Sequence, residues 1–419
     1  MRSLFNSGRL KLYQLLRWSE RYTKTDMVYL ATHGFWLGGG QVITIGSAFL
    51  LSIAFANLLT PEAYGVYKYV FSIGALISIP TLAGIDRALV QSIAQHYDGS
   101  IAQSLKVKLR YGMLSTLASM MLASYYYFQG NQILALAIII VGIFTPLAEA
   151  FGLYAAVLQG KKLFKTYSFY SSIAQLALTA VTLVLLIYSD NVLYLLLGHF
   201  LVSTTAHIFF FKKSYARADN SLTDPEGITL GKHLTVMDVF STLAMSLDKI
   251  LIFQYLGTAE LALYVIAIAP PEQIKGLFKS MAAMVIPKFS QQEKSILKKT
   301  IFRKAATFAV GLTIIIAIYI LSAPLLFNIF FPQYVAAILF SQIVAISIIP
   351  ASISTFFYIF LVSHGRKQDL YSFNLFSNIL NIILLLPAIY YFGIMGAILA
   401  RVFIRILTMF HAMLIAKRM

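Results

Sequence analysis

The chemically capable residues of this chain are charged side chains set inside long apolar runs. Pro270 and Pro271 interrupt one run, and Glu272, Lys275 and Lys279 follow on one helical face. A proline pair removes two backbone donors, and proline is tolerated again in the first turn of a new helix. The spacing predicts a helix that breaks at the pair and restarts within the membrane, its positive end turned toward a cavity. Two ammonium groups beside such an end suit a diphosphate. The competing reading is a kinked helix in which Glu272 and Lys275 pair with each other.

Asp238, Ser241, Thr242, Met245, Asp248 and Lys249 make a second stripe at helical spacing. Lys249 shares a face with Asp238, whereas the neighbours Asp248 and Lys249 cannot face one another along the helix. The stripe is either a cavity wall, with Asp238 or Asp248 carrying a cation or proton, or an interhelical salt bridge. Arg401 and Arg405 lie one turn apart in the last run, and guanidinium forks bind phosphate oxygens in pairs. Asn374, Asn378 and Asn381 line one face of the run before, suited to sugar hydroxyls or to interhelical hydrogen bonds. Asp86 and Arg87 sit near the inner end of the second run, where Arg87 meets a phosphate at an entrance or simply snorkels. Lys68, on the same run, shares a face with Asp86. Glu149 has no partner apparent along the chain.

These residues sort into three sets. Arg87, Lys275, Lys279, Arg401 and Arg405 would bind an anionic substrate; Asp86, Asp238, Asp248, Lys249 and Glu272 would couple an ion or form salt bridges; Asn374, Asn378 and Asn381 would touch sugars. No catalytic set stands beside them. A Gly-rich phosphate loop is absent, the histidines lack metal-ligand spacing, and with no cysteine a disulfide or thiolate site is excluded. No cofactor and no metal are expected.

The elements that must position these residues are membrane helices. Of 419 residues, 59% are hydrophobic and only 12% charged, and mean hydropathy is +0.78, beyond the range of soluble domains. Apolar runs of spanning length fall at 35–56, 66–92, 111–128, 133–158, 167–188, 192–211, 234–256, 261–289, 305–327, 334–362, 371–390 and 394–415. Lysine and arginine fill alternate connections: Arg2 to Lys24, then Lys106, Lys108 and Arg110, then Lys161, Lys162 and Lys165, and so on to Lys417 and Arg418. The connections between carry none. That alternation predicts twelve spans with both termini in the cytoplasm. It also accounts for the net charge of +17, which faces an anionic leaflet and not a nucleic acid. The longest polar connection divides the chain into a lobe at 35–211, a cytoplasmic linker at 212–233 and a lobe at 234–419. The segment 1–34 precedes them, with a basic amphipathic helix expected at 4–18 on the membrane surface.

The halves look related. Asn57-Leu-Leu-Thr-Pro-Glu-Ala-Tyr-Gly-Val-Tyr67 lies without a gap on Gln254-Tyr-Leu-Gly-Thr-Ala-Glu-Leu-Ala-Leu-Tyr264, each the first outer connection of its half. Six spans per half give parallel repeats, with the substrate site between them.

That first segment, with Gly84-Ile-Asp-Arg-Ala-Leu-Val90, Val157-Leu-Gln-Gly-Lys-Lys-Leu-Phe-Lys165, Leu247-Asp-Lys-Ile-Leu-Ile-Phe-Gln-Tyr-Leu-Gly257 and Pro287-Lys-Phe-Ser-Gln291, resembles the polysaccharide-repeat (O-antigen, Wzx-like) flippases of the multidrug, oligosaccharidyl-lipid and polysaccharide exporter superfamily. The order of the five segments carries the resemblance, over about residues 30–290. It implies an all-α protein of about twelve spans, in two six-helix lobes around a central cavity. It further implies inner-to-outer translocation of a polyprenyl-diphosphate-linked glycan in a bacterial or archaeal cytoplasmic membrane. Membrane lipids and polysaccharide polymerase or assembly proteins would be its partners. A cation-coupled drug exporter of the same superfamily is the alternative, and a membrane glycosyl-transferring enzyme a more distant one.

Overall fold

The computed structural model describes residues 27–283, 294–363 and 367–418. The surface helix expected at 4–18 and the end of the eighth run beyond Ala283 lie outside them. Helices occupy nearly all of the described chain: α1 Met27–Leu58, α2 Pro61–Ile77, α3 Gly84–Ala94, α4 Ser100–Phe128, α5 Gln132–Phe151, α6 Tyr154–Gly160, α7 Phe164–Tyr188 and α8 Val192–Tyr215 form the first lobe. The second lobe holds α9 Gly227–Leu256, α10 Thr258–Ala283, α11 Lys294–Phe330, α12 Ala337–Ser363 and α13 Lys367–Arg418. Helix α13 turns back at Gly393, whose φ of 57° suits glycine, so its limbs 367–392 and 394–418 are separate spans. Counting α2 with α3 and α5 with α6 as single broken spans gives six per lobe.

Among the described residues, seven helical segments are long and apolar enough to cross a membrane, eight with the bent α2–α3 pair. The helices that fall short on that measure are α4, α9 and α10, which carry Lys108, Asp248 and Glu272.

Two expectations about helix breaks are corrected. The second run is not one helix: α2 and α3 meet at 42° across the short 3-10 turn Ile79–Thr81. Pro80 removes a donor there, Leu82 takes a left-handed backbone (φ 61°), and the Ser78 and Thr81 hydroxyls bond to Ala75 O and Ser78 O. Lys68 and Asp86 consequently do not share a face. Conversely, Pro270 and Pro271 do not break α10, which runs unbroken from Thr258 to Ala283. The pair is buried where α10 packs on α2 and α12, and that packing keeps the backbone helical despite two missing donors. No half-helix N-terminus faces the cavity.

At the end of the short connections, one apolar core runs through both lobes, from Phe55, Tyr64 and Tyr69 to Tyr264, Phe331 and Ile389. At the opposite, basic end the core divides. Ile85, Leu89, Val157 and Phe211 belong to a first-lobe cluster, and Ile301, Phe357, Phe360 and Ala412 to a second-lobe cluster. The apolar core is thus continuous across the lobes at one end and divided at the other, where α3 of the first lobe still meets α9 of the second.

Two close approaches stitch the lobes together. A Cβ on Gly65 would sit 1.9 Å from Thr258 O, and one on Gly84 would sit 2.3 Å from Gly231 O. Small residues let helix backbones meet where lipid supplies no hydrophobic push. Near the sealed end, Gln254 Nε2 donates to the Tyr69 and Tyr126 hydroxyls (2.9 and 2.8 Å), which lie 2.5 Å apart. Asn57 Nδ2 donates across to Phe330 O at 2.8 Å. Asn57 and Gln254 are equivalent positions of the internal repeat, and each amide reaches into the other lobe.

Candidate functional site: a cationic cavity in the second lobe

Helices α9, α10, α12 and α13 enclose a cavity of about 500 Å³. Its charged wall comes from three of them. Lys249 stands on α9, Glu272 and Lys275 on α10, and Arg401 and Arg405 on α13. Four cations thus meet two acids, counting the adjoining Asp248.

Asp248 is 3% exposed and saturated with donors. Arg401 Nη2 reaches its Oδ2 at 2.5 Å, the Tyr264 hydroxyl donates to the same oxygen at 2.7 Å, and the Lys249 amide donates to Oδ1 at 2.8 Å. Arg401 also donates to the Tyr264 hydroxyl at 2.9 Å. Lys249 Nζ lies 3.9 Å from Asp248 Oδ1, so the two neighbours do approach, by way of a curled lysine that donates to Met245 O.

Glu272 takes the remaining cations. Its Oε1 accepts from Arg401 Nη1 at 3.1 Å and from Arg405 Nη2, and its Oε2 accepts from Lys275 Nζ at 3.1 Å. Arg405 Nη1 is held by Ser347 Oγ at 2.8 Å. The Glu272–Lys275 pair therefore forms, but as one edge of a network that joins α10 to α13, and through it to Ser347 on α12 and Asp248 on α9.

The rest of the lining mixes neutral polar residues, Ser354, Thr355, Ser377, Asn378, Asn381 and Thr408, with apolar ones, among them Met245, Ile268 and Ile404. Asn378 donates to Ser241 Oγ (3.0 Å) and Asn381 to Ser377 O (2.9 Å). The Ser354 hydroxyl is buried with no hydrogen-bond partner among the described residues. Asn374 is exposed and outside the lining. Lys279 is on α10, but its side chain lies outside the described residues.

The first lobe holds a different cluster. Lys108, fully buried, reaches Asp86 Oδ1 at 2.7 Å and Glu149 Oε2 at 3.8 Å. The carboxylates are 38% and 40% exposed. The stretch 106–110 is thus helical, part of α4, and not a connection. Arg87 does not join the cavity: it pairs with Asp238 and donates to Leu234 O at 3.3 Å, tying α3 to α9 beside the Gly84–Gly231 contact. Asp238 is therefore matched with Arg87 and not with Lys249.

A third group lies outside the spans. Lys161 bridges Asp98 (2.9 Å) and Asp219 (2.7 Å), pinning the linker to the first lobe. Burial would raise the Asp98 carboxyl, but the Asp219 amide and the Lys161 ammonium outweigh it and hold it below the usual range. Asp224 is lowered by its hydrogen bond from Ser92, 2.6 Å. The linker's coil is shorter than expected, residues 216–226.

Sequence spacing missed Tyr264, Ser347, Ser354 and Lys108. Tyr264 had one signal, its match to Tyr67 in the internal repeat. Lys108 was masked by its neighbours Lys106 and Arg110, which made it look like one more topology-setting charge.

Among the described residues no group of His, Cys, Asp or Glu is arranged to hold a metal ion. No curated protein matches the chain by sequence. Solved structures do match its fold. An inward-facing multidrug resistance MATE family transporter of the MOP superfamily aligns with TM-score 0.70 at 14% identity, covering 90% of this chain and 94% of that one. The lipid II flippase MurJ, in an inward closed conformation, aligns with TM-score 0.73 at 13% identity, covering 92% of this chain and 87% of that one. Residues 30–293 match the family described as polysaccharide biosynthesis protein, and the chain belongs to that family.

Proposed function

We propose that the protein is a flippase that carries a polyprenyl-diphosphate-linked oligosaccharide from the inner to the outer leaflet of the cytoplasmic membrane. The single observation that carries this is the cavity's composition: Lys249, Lys275, Arg401 and Arg405 against Glu272 and the adjoining Asp248, with amides and hydroxyls in the same lining. The diphosphate would sit against Lys275, Arg401 and Arg405, with Lys279 one helical turn beyond Lys275. The sugars would face Ser354, Asn378 and Asn381. The lipid tail would stay in the bilayer. Neutralising the diphosphate lowers the cost of bringing it into low dielectric.

The divided core at the basic end is the inward opening, with both termini on that side. The seal near Gln254 is the outer gate, and the lobes rock to exchange them. Polysaccharide polymerase or assembly proteins would receive the product. No covalent step is required, so the protein is a transporter and not an enzyme.

The test is reconstitution in vesicles with a fluorescent diphosphate-linked oligosaccharide. Lys275→Ala with Arg405→Ala abolishes its appearance in the opposite leaflet while membrane insertion and monodispersity persist. Full activity in that double variant removes the site assignment. A drug exporter of the same fold is the rival, favoured by the half-exposed carboxylates Asp86 and Glu149. Drug resistance conferred by the gene, with no glycan transport, would decide for it.

A further inference from the structure

Resting on the anion-binding reading above, we propose that Glu272 is an internal stand-in for the substrate's phosphate, and that displacing it selects a diphosphate link over a monophosphate link. The two acids of the cavity differ in kind. Asp248 is enclosed, and its donors include a tyrosine hydroxyl and a backbone amide, which do not leave. Glu272 is 29% exposed at the cavity edge. Its recorded donors are all side-chain cations: Arg401, Arg405 and Lys275. Those are the groups that the diphosphate needs.

A carboxylate in that place does two things. It compensates three cations in the empty cavity, where unpaired charge in low dielectric is expensive. It also sets a threshold for any ligand. An incoming anion gains the three cations only by evicting Glu272, so it must bring more than the one charge it replaces. A sugar–diphosphate–lipid carries two charges, one on each phosphoryl group. A sugar–monophosphate–lipid carries one and merely exchanges like for like. The evicted side chain has room to turn toward the open cavity, because its exposed face meets that volume. Arg401 remains anchored to Asp248 and Tyr264 during the exchange, so the site keeps its shape. Glu272 is a specificity residue, and it acts through the three cations.

The test compares two probes, farnesyl-diphosphate-linked and farnesyl-monophosphate-linked N-acetylglucosamine, bound to the full chain in nanodiscs. Wild type prefers the diphosphate by about tenfold or more, the scale of one charge-assisted contact. Glu272→Gln removes the competing charge. The cost of eviction is common to both probes, so both tighten, the monophosphate by about tenfold, and it then fills the site at a concentration where wild type holds only the diphosphate. Glu272→Asp keeps the charge but draws it back from Arg405, giving an intermediate tightening. A merely structural role would weaken both probes together. No tightening of the monophosphate probe in a folded, monodisperse Glu272→Gln overturns the proposal. If that variant does not fold, no tightening in Glu272→Asp overturns it instead. Failure of wild type to bind either probe sinks the anion-site reading itself, which is a distinguishable result.

Discussion

The two lobes each hold six spans but settle their buried charge in opposite ways. In the first, one buried ammonium, Lys108, lies between two half-exposed carboxylates. In the second, two carboxylates lie among four cations, and the acid that is sealed off is Asp248. The first cluster is left with an acidic remainder and the second with a basic one. The sign of the buried charge, and not the number of helices, sets the second lobe's cavity apart. The difference teaches that the fold supplies the place, while the sign of the surplus decides what is drawn to it.

The widest gap between the lobes should appear on deleting one cation from each. Arg401→Ala leaves Asp248 with no guanidinium, enclosed and still charged, and frees one of the ties on Glu272. Breaking a buried pair in this way costs about 3–5 kcal/mol. In thermal unfolding in detergent it is the most destabilised variant, and it does not bind the diphosphate probe. Lys108→Met fills the same space and leaves two carboxylates that already see solvent. Its cost is smaller, roughly 1–3 kcal/mol, and diphosphate binding persists. Equal losses in the two variants would erase the contrast between sealed and open clusters.

A smaller effect belongs to neutral contacts across the lobes. Gln254→Leu removes two hydrogen bonds from the sealed end but leaves Tyr69 and Tyr126 bonded to each other. The loss is about 1 kcal/mol, a several-fold shift toward the outward-open form with little change in unfolding. Distances between spin labels on the two lobes at that end would report it. A shift as large as that of a charge variant would mean that the seal, and not the charge clusters, governs the molecule.

The span plan was legible in the sequence, because hydropathy answers to the bilayer; lysine placement was an incomplete guide, since Lys108 lies buried inside α4 beside Asp86 and Glu149. Helix breaks were not, since proline gives one signal for two outcomes. At Pro80 the freed carbonyl region is served by Ser78 and Thr81, Leu82 takes a left-handed backbone, and the chain bends. At Pro270 and Pro271 no such hydroxyls adjoin, and Ile266 and Ala267 are fully buried against neighbouring helices, so the helix continues. The candidate residues were legible as types, and their partners were not. Helical spacing shows which side chains share a face, but Arg401 meets Asp248 from 153 positions away, and only packing brings α9 and α13 together.

The weakest expected effect extends the first lobe's habit of pinning its cations with acids to the exposed end. Lys161 there sits between Asp98 and Asp219, and the linker docks through Asp224 N to Ser100 Oγ (2.8 Å) and Gly99 N to Leu222 O (2.8 Å). Asp98 and Asp224 have lowered folded values. Their contribution is therefore present above the ordinary carboxylate value of about 4 and lost as pH falls through the depressed one. Lys161 is raised, so its contribution holds below the ordinary lysine value of about 10.4 and fades as pH climbs through the higher one. Docking is thus flat from about pH 5 to about pH 10 and loosens outside that window. The chain has no cysteine, so a nitroxide on Leu222→Cys reports the linker alone. It should stay immobile across the window and loosen below about pH 4. Lys161→Ala should loosen it at neutral pH at a global cost of about 1 kcal/mol, because Asp219 is largely in solvent and the buried Asp98 keeps the Asp219 amide as a donor. Loosening near pH 6 to 7 in the unaltered chain would point to histidine and not to these carboxylates, and the parallel between the lobe's buried and exposed clusters would fail.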